Sequence, residues 1–452
     1  MLSTPADWMP VLTKRLDTRR PRVDLLRSYA NGHAPMPEMG ANTRAAWIEF
    51  QKKATTNYGG LAVEALANRI VPNGITIGSD PESEAVLTAR RIWRDNYLDI
   101  AIAEAVRDYL TCSVGYLVVG QDQDGPRITR EAPEQFYAAP DPLHRWKARA
   151  AIKVWRDLDA GEDYAYVWTE GQGQLFSRSS RYESGLLIAK SSGDWIVLGE
   201  PDVYDGRPPV VIMERLGGVG FFEPHTDVID RINLGKLNRL VISAMQAFRQ
   251  RALRAADGMA LPDKDPDGND IDYKTMFEPA PGALWELPEG IDVWESQSAD
   301  IRPLLDGEKN DLRDFAAVLQ LPIAALIPSG ENQSAEGAAN AKEGLYFQAR
   351  NEIARLRIGV QVALVLALGV AGVDLADQTL SVEFAPPDRT SMSERYAAAA
   401  AAAAAGQSRK SIMRDILGMS PDQIAQEEAD RADEQLSNLV FAQQATSASA
   451  NP

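Results

Sequence analysis

The run Asp263-Lys264-Asp265-Pro266-Asp267-Gly268 places carboxylates at the alternate positions with which a calcium loop begins. Such a loop needs a bidentate carboxylate at its twelfth position. Here that position is Lys274, and Pro266 restricts the backbone, so the run reads as a solvated acidic turn. Phosphate transfer needs a glycine loop closing on lysine. The Gly235-Lys236 pair falls inside a helical pattern, with Asp230 where the earlier glycine belongs. Gly217-Gly218-Val219-Gly220 does not satisfy GxGxxG and reads as a hinge. His33, His144 and His225 are far apart and share no metal-ligand spacing. No Gly-x-Ser-x-Gly elbow occurs. The expectation is a protein with no catalytic residues, no metal and no cofactor.

Two basic patterns remain. Arg90, Arg91, Trp93 and Arg94 interleave cations with an aromatic ring, as single-strand stacking would require. They lie in a helical stretch where Ile92 and Trp93 read as core-facing. Arg249, Arg251 and Arg254 form a basic helix face. That face is either solvated and salt-bridged, or in contact with phosphate or an acidic neighbouring subunit.

The 452-residue chain has room for two to four domains. Its 47 Lys and Arg against 64 Asp and Glu give a formal net charge of −17, a poor basis for tight non-specific nucleic-acid binding. The charge is unevenly placed. From Asp263 to Asp314 there are 15 acidic residues against 5 basic, whereas Thr226 to Arg254 carries six basic and two acidic. The single cysteine, Cys112, excludes an intrachain disulfide and reads as a small buried residue. Met1 to Trp8 lacks the features of a signal peptide. Val360 to Val373 is too short to span a bilayer and reads as the buried end of a helix, so no membrane is expected.

The elements that must position these residues centre on Thr226 to Gly359. A long helix is predicted to about Ala256, with apolar residues at mostly three-and-four spacing from Val228 to Ala252. Roughly 30 residues at helical rise span about 45 Å. A Gly-, Pro- and Asp-rich insert follows, with short strands predicted at Met259 to Leu261, Ala283 to Leu287 and Ile291 to Trp294. Helix resumes at Pro303 to Leu319. A polar loop, Pro328 to Ser334, leads into a third helix.

Residues 1–225 read as one α+β domain. Helices are predicted at Asp24 to Ala30, Thr43 to Ala54, Asn57 to Ile70, Glu82 to Asn96 and Leu98 to Thr111. A hairpin joins Gly115 to Val119 with Arg127 to Glu131. Further strands are predicted at Ala151 to Arg156, Tyr164 to Thr169, Gln174 to Ser177, Leu186 to Ala189, Trp195 to Leu198 and Pro209 to Glu214, a spacing that fits an antiparallel sheet. Thr379 to Phe384 is a strand returning to this domain. The last 65 residues are helical, with Ser391 and Glu394 as one capping pair and Ser420-Pro421 with Gln423 as another, and with an unstructured tail from Thr446.

Several stretches together resemble the portal proteins of tailed bacteriophages, of the type found in siphophages of actinobacteria. LLRSYANGHAPMPE (Leu25 to Glu38) is similar to that family's YxxGxxPLP opening motif, with Ala30 where a second aromatic is more usual. NYGGLAVEALANRIVPNGI (Asn57 to Ile75) follows. Then come IWRDNYLD (Ile92 to Asp99) and GYLVVGQDQDGPRITREAP (Gly115 to Pro133). QSAEGAANAKEGL (Gln333 to Leu345) resembles the start of the family's long wing helix, and GMSPDQIAQEEADR (Gly418 to Arg431) its terminal helix. The order and spacing of these stretches carry the resemblance over nearly the whole chain.

The resemblance implies an α+β portal fold. An α/β wing would occupy 1–225, a first stem helix 226–256, a clip 257–302 and a second stem helix 303–322. The tunnel loop, long wing helix and return strand would lie in 323–388, and a helical crown in 389–452. It implies a homo-oligomeric ring, a dodecamer, at the capsid's portal vertex in the virion, assembled in the bacterial host's cytoplasm. Double-stranded DNA would be packaged and ejected through the ring. The implied partners are the terminase large subunit, the head-tail connector, the major capsid protein and scaffolding protein. The tunnel loop would present Ser329, Gly330, Glu331, Asn332, Gln333 and Ser334 to DNA. The clip would dock partners through Asp263, Asp265, Asp267, Asp270 and Asp272. Two other readings are a head-tail adaptor without DNA contact, and a hydrolase built on the Asp-rich insert. The helical hairpin with its insert disfavours the adaptor, and the failed motif searches disfavour the hydrolase.

Overall fold

The computed structural model describes residues 2–36, 45–78, 80–180, 185–247, 251–255, 263–264, 268–270, 291–295, 300–327, 335–376, 378–388 and 392–449. Among these the chain runs α1 (Pro5–Ala30), α2 (Ala45–Ala54), α3 (Tyr58–Ala67), β1 (Pro72–Ile77), α4 (Glu84–Asp95), α5 (Leu98–Cys112), β2 (Val114–Asp122), β3 (Gly125–Glu131), β4 (Phe136–Pro140), β5 (Ala148–Asp157), β6 (Glu162–Thr169), β7 (Gln172–Ser179), β8 (Ile196–Val203) and β9 (Val210–Glu214). It continues through α6 (Thr226–Ala247), β10 (Arg251–Ala255), β11 (Ile291–Glu295), α7 (Arg302–Val318), α8 (Ala335–Val370), β12 (Leu380–Phe384), α9 (Met392–Ala404) and α10 (Pro421–Ser449). Strands pair antiparallel and helices lie in separate runs, so the class is α+β, as expected. The chain divides into two compact units. One comprises Met1–Ala34, Asn57–Thr226 and Ala316–Pro452; the other comprises Pro35–Thr56 and Asp227–Phe315.

In the first unit, β4-β5-β6-β7-β8 form one sheet and β3-β2-β9 another. Alternating side chains bury Tyr116, Val118, Phe136, Ala138, Ala151, Val210 and Ile212 in one cluster shared by the two sheets. On the larger sheet, Trp8, Met9, Leu12 and Leu16 of α1 pack against Ile152, Val154, Ala165, Val167 and Phe176. Sequence periodicity predicts helix only from Asp24, but α1 begins at Pro5. Its start is fixed by a capping box, with Asp7 N donating to Thr4 Oγ1 (3.2 Å) and Thr4 N donating to Asp7 Oδ2 (3.0 Å). Pro10 and Pro21 lie inside the helix and each removes a backbone donor. That masks the helix in the sequence, and burial of its apolar side holds it.

Leu186 to Ala189 is not a strand. The segment turns through bends, with Ile188 buried in the α1 core. Its continuation is held by Asp17, which accepts from Ser191 N (2.6 Å) and Ser192 N (2.8 Å). The edge strand β4 was not anticipated, because Phe-Tyr-Ala-Ala-Pro is short and weakly alternating.

Helix α8 is 36 residues long. Leu345, Ala349, Leu356, Val360, Ala363, Leu364, Ala367 and Leu368 are buried along it, whereas Val365 and Val370 are exposed, so the stretch after Gly359 is a helix end buried on one side only. Gly359 permits a close approach to β9, since a Cβ there would lie 2.5 Å from Met213 Cγ. β12 then returns to pair with β1. Ser420 and Gln423 exchange the anticipated capping bonds (2.9 and 3.2 Å) at the start of α10. Residues 446–449, expected as unstructured tail, continue that helix.

Candidate functional site

In the second unit, α6 and α7 run antiparallel. Ion-pair register shows this directly: Arg231 of α6 reaches Asp311 (2.8 Å) and Asp314 (3.5 Å), whereas Lys236 (3.2 Å) and Arg239 (3.5 Å), further along α6, reach Glu308, further back on α7. Ile229, Ile232 and Leu237 are buried on α6, and Leu312 and Phe315 on α7. Asn233 is fully buried, its Oδ1 accepting from Thr56 N (3.1 Å) and Oγ1 (2.8 Å). The basic-then-acidic charge division of the sequence is therefore used inside the molecule, at least on these rungs. Counting charges by region revealed the asymmetry but not its partners. The missed residues are Arg231, Lys236 and Arg239 with Glu308, Asp311 and Asp314.

The long first helix is shorter than predicted. α6 ends at Ala247 among the described residues, and Arg251–Ala255 is strand β10, paired antiparallel with β11. Helical propensity here yields to cross-strand pairing with Ile291–Glu295. This corrects the basic helix face. Arg251 and Arg254 stand on a strand, whose period of two replaces the helical period that would align them. Strand register sets Arg251 opposite Glu295 and Arg254 opposite Asp292. Arg249 lies outside the described residues.

Of the acidic candidates, Asp263 and Asp270 are exposed, and Asp270 is bridged to Lys264 at 4.0 Å. Asp265, Asp267 and Asp272 lie outside the described residues, as do Met259 to Leu261, Ala283 to Leu287 and the loop Ser329, Gly330, Glu331, Asn332, Gln333 and Ser334. Among the described residues, no three His, Cys, Asp or Glu side chains converge as a metal site. Cys112 is buried, and burial pushes its thiol up to about 12.

The first unit carries a second charged constellation. Asp108, 1% exposed, accepts from Arg130 Nε (2.6 Å) and Nη2 (2.8 Å) and from Arg27, which also bonds Glu134. Nearby, Glu352 of α8 is bonded by the Tyr109 hydroxyl and by Arg215 (3.0 Å). Arg22 holds Glu223, whose other partner is Gly220 N (2.6 Å). Burial alone would raise the Glu223 pKa, but these partners hold it below the ordinary range. Each of these charged groups has a partner of opposite charge or a hydrogen bond, while Glu134 Oε2 is buried without one.

A family model described as phage portal protein, SPP1 Gp6-like, matches residues 11–439. No curated protein matches the sequence. Among solved structures, a chain of the native gene transfer agent virion is 15% identical, with a TM-score of 0.47, over 89% of this chain and 99% of that one. A chain from the neck of the native gene transfer agent particle, computed with C12 symmetry, is 15% identical, with a TM-score of 0.45, over 88% and 99%. An HK97-family phage portal protein from Corynebacterium diphtheriae is 13% identical, with a TM-score of 0.35, over 77% and 97%.

Proposed function

We propose a role that proceeds from one premise: the chain belongs to the SPP1 Gp6-like family of phage portal proteins, and so is a virion protein of the capsid's portal vertex. In this reading copies of the chain close a ring, and double-stranded DNA is packaged and ejected through its centre. The observation that carries the reading is the ion-paired α6–α7 hairpin with the β10–β11 pair beyond it. Such a hairpin, with further helix faces to cover, suits a stem packed among its copies, and head-to-tail contacts close rings.

The named parts follow from the sequence resemblance. Residues 1–225 with 335–385 form the wing. α6 and α7 form the stem. The segment between them is the clip, whose base is the β10–β11 pair, and residues from about 389 form the crown. The acidic clip docks the terminase during packaging and the head-tail connector afterwards. It also keeps phosphate at a distance, over about a Debye length of 8 Å at physiological salt. A conduit that bound its cargo tightly would stall it, so weak contact from residues 329–334 and Arg249, Arg251 and Arg254 is sufficient. The chain performs no chemistry, and nucleotide turnover belongs to its packaging partner.

One negative-stain class average of the purified chain tests the ring. A ring with a central hole is the expected image; a stable monomer across concentrations by native mass spectrometry would overturn it. Deleting Ser329 to Gln333 should leave rings intact and impair DNA packaging or retention. Unchanged packaging would remove these residues from the channel.

A further inference from the structure

The far part of α10 is uncovered within one copy. Every residue from Gln426 to Asn438 is exposed, with Leu436 at 63%. Helices in water draw most of their stability from packing an apolar face, and this one has such a face. Ala425, Ala429, Ala432 and Leu436 follow a four-three-four spacing, a repeat the sequence continues at Leu439. Glu427 and Glu428 are bridged to Arg409 (2.6 Å) and Lys410 (3.0 Å). Beyond them Asp430, Asp433 and Glu434 carry no ion pair among the described residues. The one cation there, Arg431, is turned away from the seam by the helical period. The start of the helix is pinned: Asp422 meets Arg90 (2.5 Å), and Asn73 Nδ2 donates to Gly418 O (3.1 Å). With the bridges at Glu427 and Glu428, these contacts fix the direction of α10 while its seam stays open.

Helix α8 carries the matching face. Phe347 (54%), Ile358 (42%) and Val365 (45%) are exposed, as are Asn351 and Ala354 between them. These positions are spaced by four, three, four and seven, the same repeat as on α10. Arg350 and Arg355 stand on either side of this line, exposed and without an ion pair among the described residues. Between Arg350 and Val365 the one acid is Glu352, which is buried and held by Tyr109 and Arg215. The nearest exposed acid on the helix is Glu343, a turn before Phe347.

We propose that α10 of one copy packs its acid-flanked seam along the arginine-flanked apolar face of α8 in the next copy of this chain. The repeats match, so apolar positions interleave, and the residues beside such a seam select the partner. Unpaired cations border the seam on α8 and unpaired carboxylates lie along α10, so α10 attracts α8 where two α10 helices would repel. Two different patches make the contact heterologous, as closing a ring requires. The inference rests on the ring reading above.

Two sets of variants test it, all at exposed positions. Arg350→Glu with Arg355→Glu should leave the subunit's thermal midpoint unchanged and weaken assembly about tenfold or more. Adding Asp430→Lys and Asp433→Lys should restore part of it. Assembly as strong as that of the unsubstituted chain, or a loss with no rescue from α10, would overturn the proposal. Ile358→Cys combined with Leu436→Cys tests the geometry, against a background in which the native Cys112 is buried. Oxidised rings of the double variant should give a ladder of covalent multimers on a denaturing gel, absent from either single variant. A bond closed within one chain would place α10 on its own α8, and rings with no bond would place the helices apart. Either result overturns the contact and leaves the ring reading standing. If the unsubstituted chain forms no ring, both fall together.

Discussion

Arginine–carboxylate pairs hold both units of this chain, but under different conditions. In the first unit Asp108 is 1% exposed and sits between Arg27 and Arg130, which are themselves mostly buried. In the second, Arg231 is 53% exposed where it meets Asp311, so that rung reaches toward solvent, while Lys236 and Glu308 on the next are 15% and 16% exposed. A buried charge whose partner is removed is left uncompensated, which costs about 3–5 kcal/mol. A pair near water contributes about 0–1 kcal/mol and is screened by salt. The first arrangement fixes one geometry; the second sets register and tolerates adjustment. A frame that must stay rigid and a hairpin that must fit its neighbours call for that difference.

The sharpest break of the comparison is Asp108→Ala. It leaves Arg27 and Arg130 facing each other without their shared carboxylate, so the first unit should lose about 3–5 kcal/mol in denaturant titration. A loss below about 1 kcal/mol would place Asp108 with the hairpin pairs and erase the distinction.

Acid probes the same unit. Burial alone would raise the pKa values of Asp17 and Glu223. Hydrogen bonds from Ser192 and Ser191 to Asp17, and from Arg22 and Gly220 to Glu223, outweigh it and hold both below the ordinary carboxylate range. A depressed folded-state pKa gives stability that is full above the unfolded value, about 4, and is lost as pH falls through the folded value. The thermal midpoint should therefore drop below about pH 4, and Asp17→Asn should flatten that drop while lowering the midpoint at neutral pH. A midpoint independent of acid would show that these carboxylates do not stabilise the fold.

Sequence periodicity made the helical hairpin legible because apolar residues recur along α6 and α7, and because caps such as Ser420 with Gln423 have a fixed spacing. It failed where long-range contacts decide. The first two thirds of α1 carry Pro10 and Pro21 and become helical through burial of Trp8, Leu12 and Leu16 on a sheet far along the chain. Arg251–Ala255 reads as continuing helix until its partner, some forty residues later, is known. The site suffered for the same reason. Three arginines reasoned onto one helix face lose that relation once two of them stand on a strand. The rungs that do form involve Arg231, Lys236 and Arg239, whose acidic partners lie about 70 to 80 residues away in sequence. Regional charge pointed to them only in aggregate.

Those rungs give the smallest and most discriminating effect. Arg231 is 53% exposed and pairs with Asp311 at 2.8 Å and Asp314 at 3.5 Å, so Asp311→Asn removes its shorter partner near water. At low salt the second unit should lose about 1 kcal/mol or less, a loss that shrinks as ionic strength rises, because this pair stands near water. Exchanging the charges, with Arg231→Asp and Asp311→Arg together, should restore part of the loss, since the Coulomb attraction survives reversal while the Asp314 contact does not. If Asp311→Asn costs as much as Asp108→Ala and ignores salt, the rung is buried framework like those of the first unit. In that case the hairpin is as rigid as the frame, and register along α6 and α7 is set by Ile229, Ile232, Leu312 and Phe315 without help from charge.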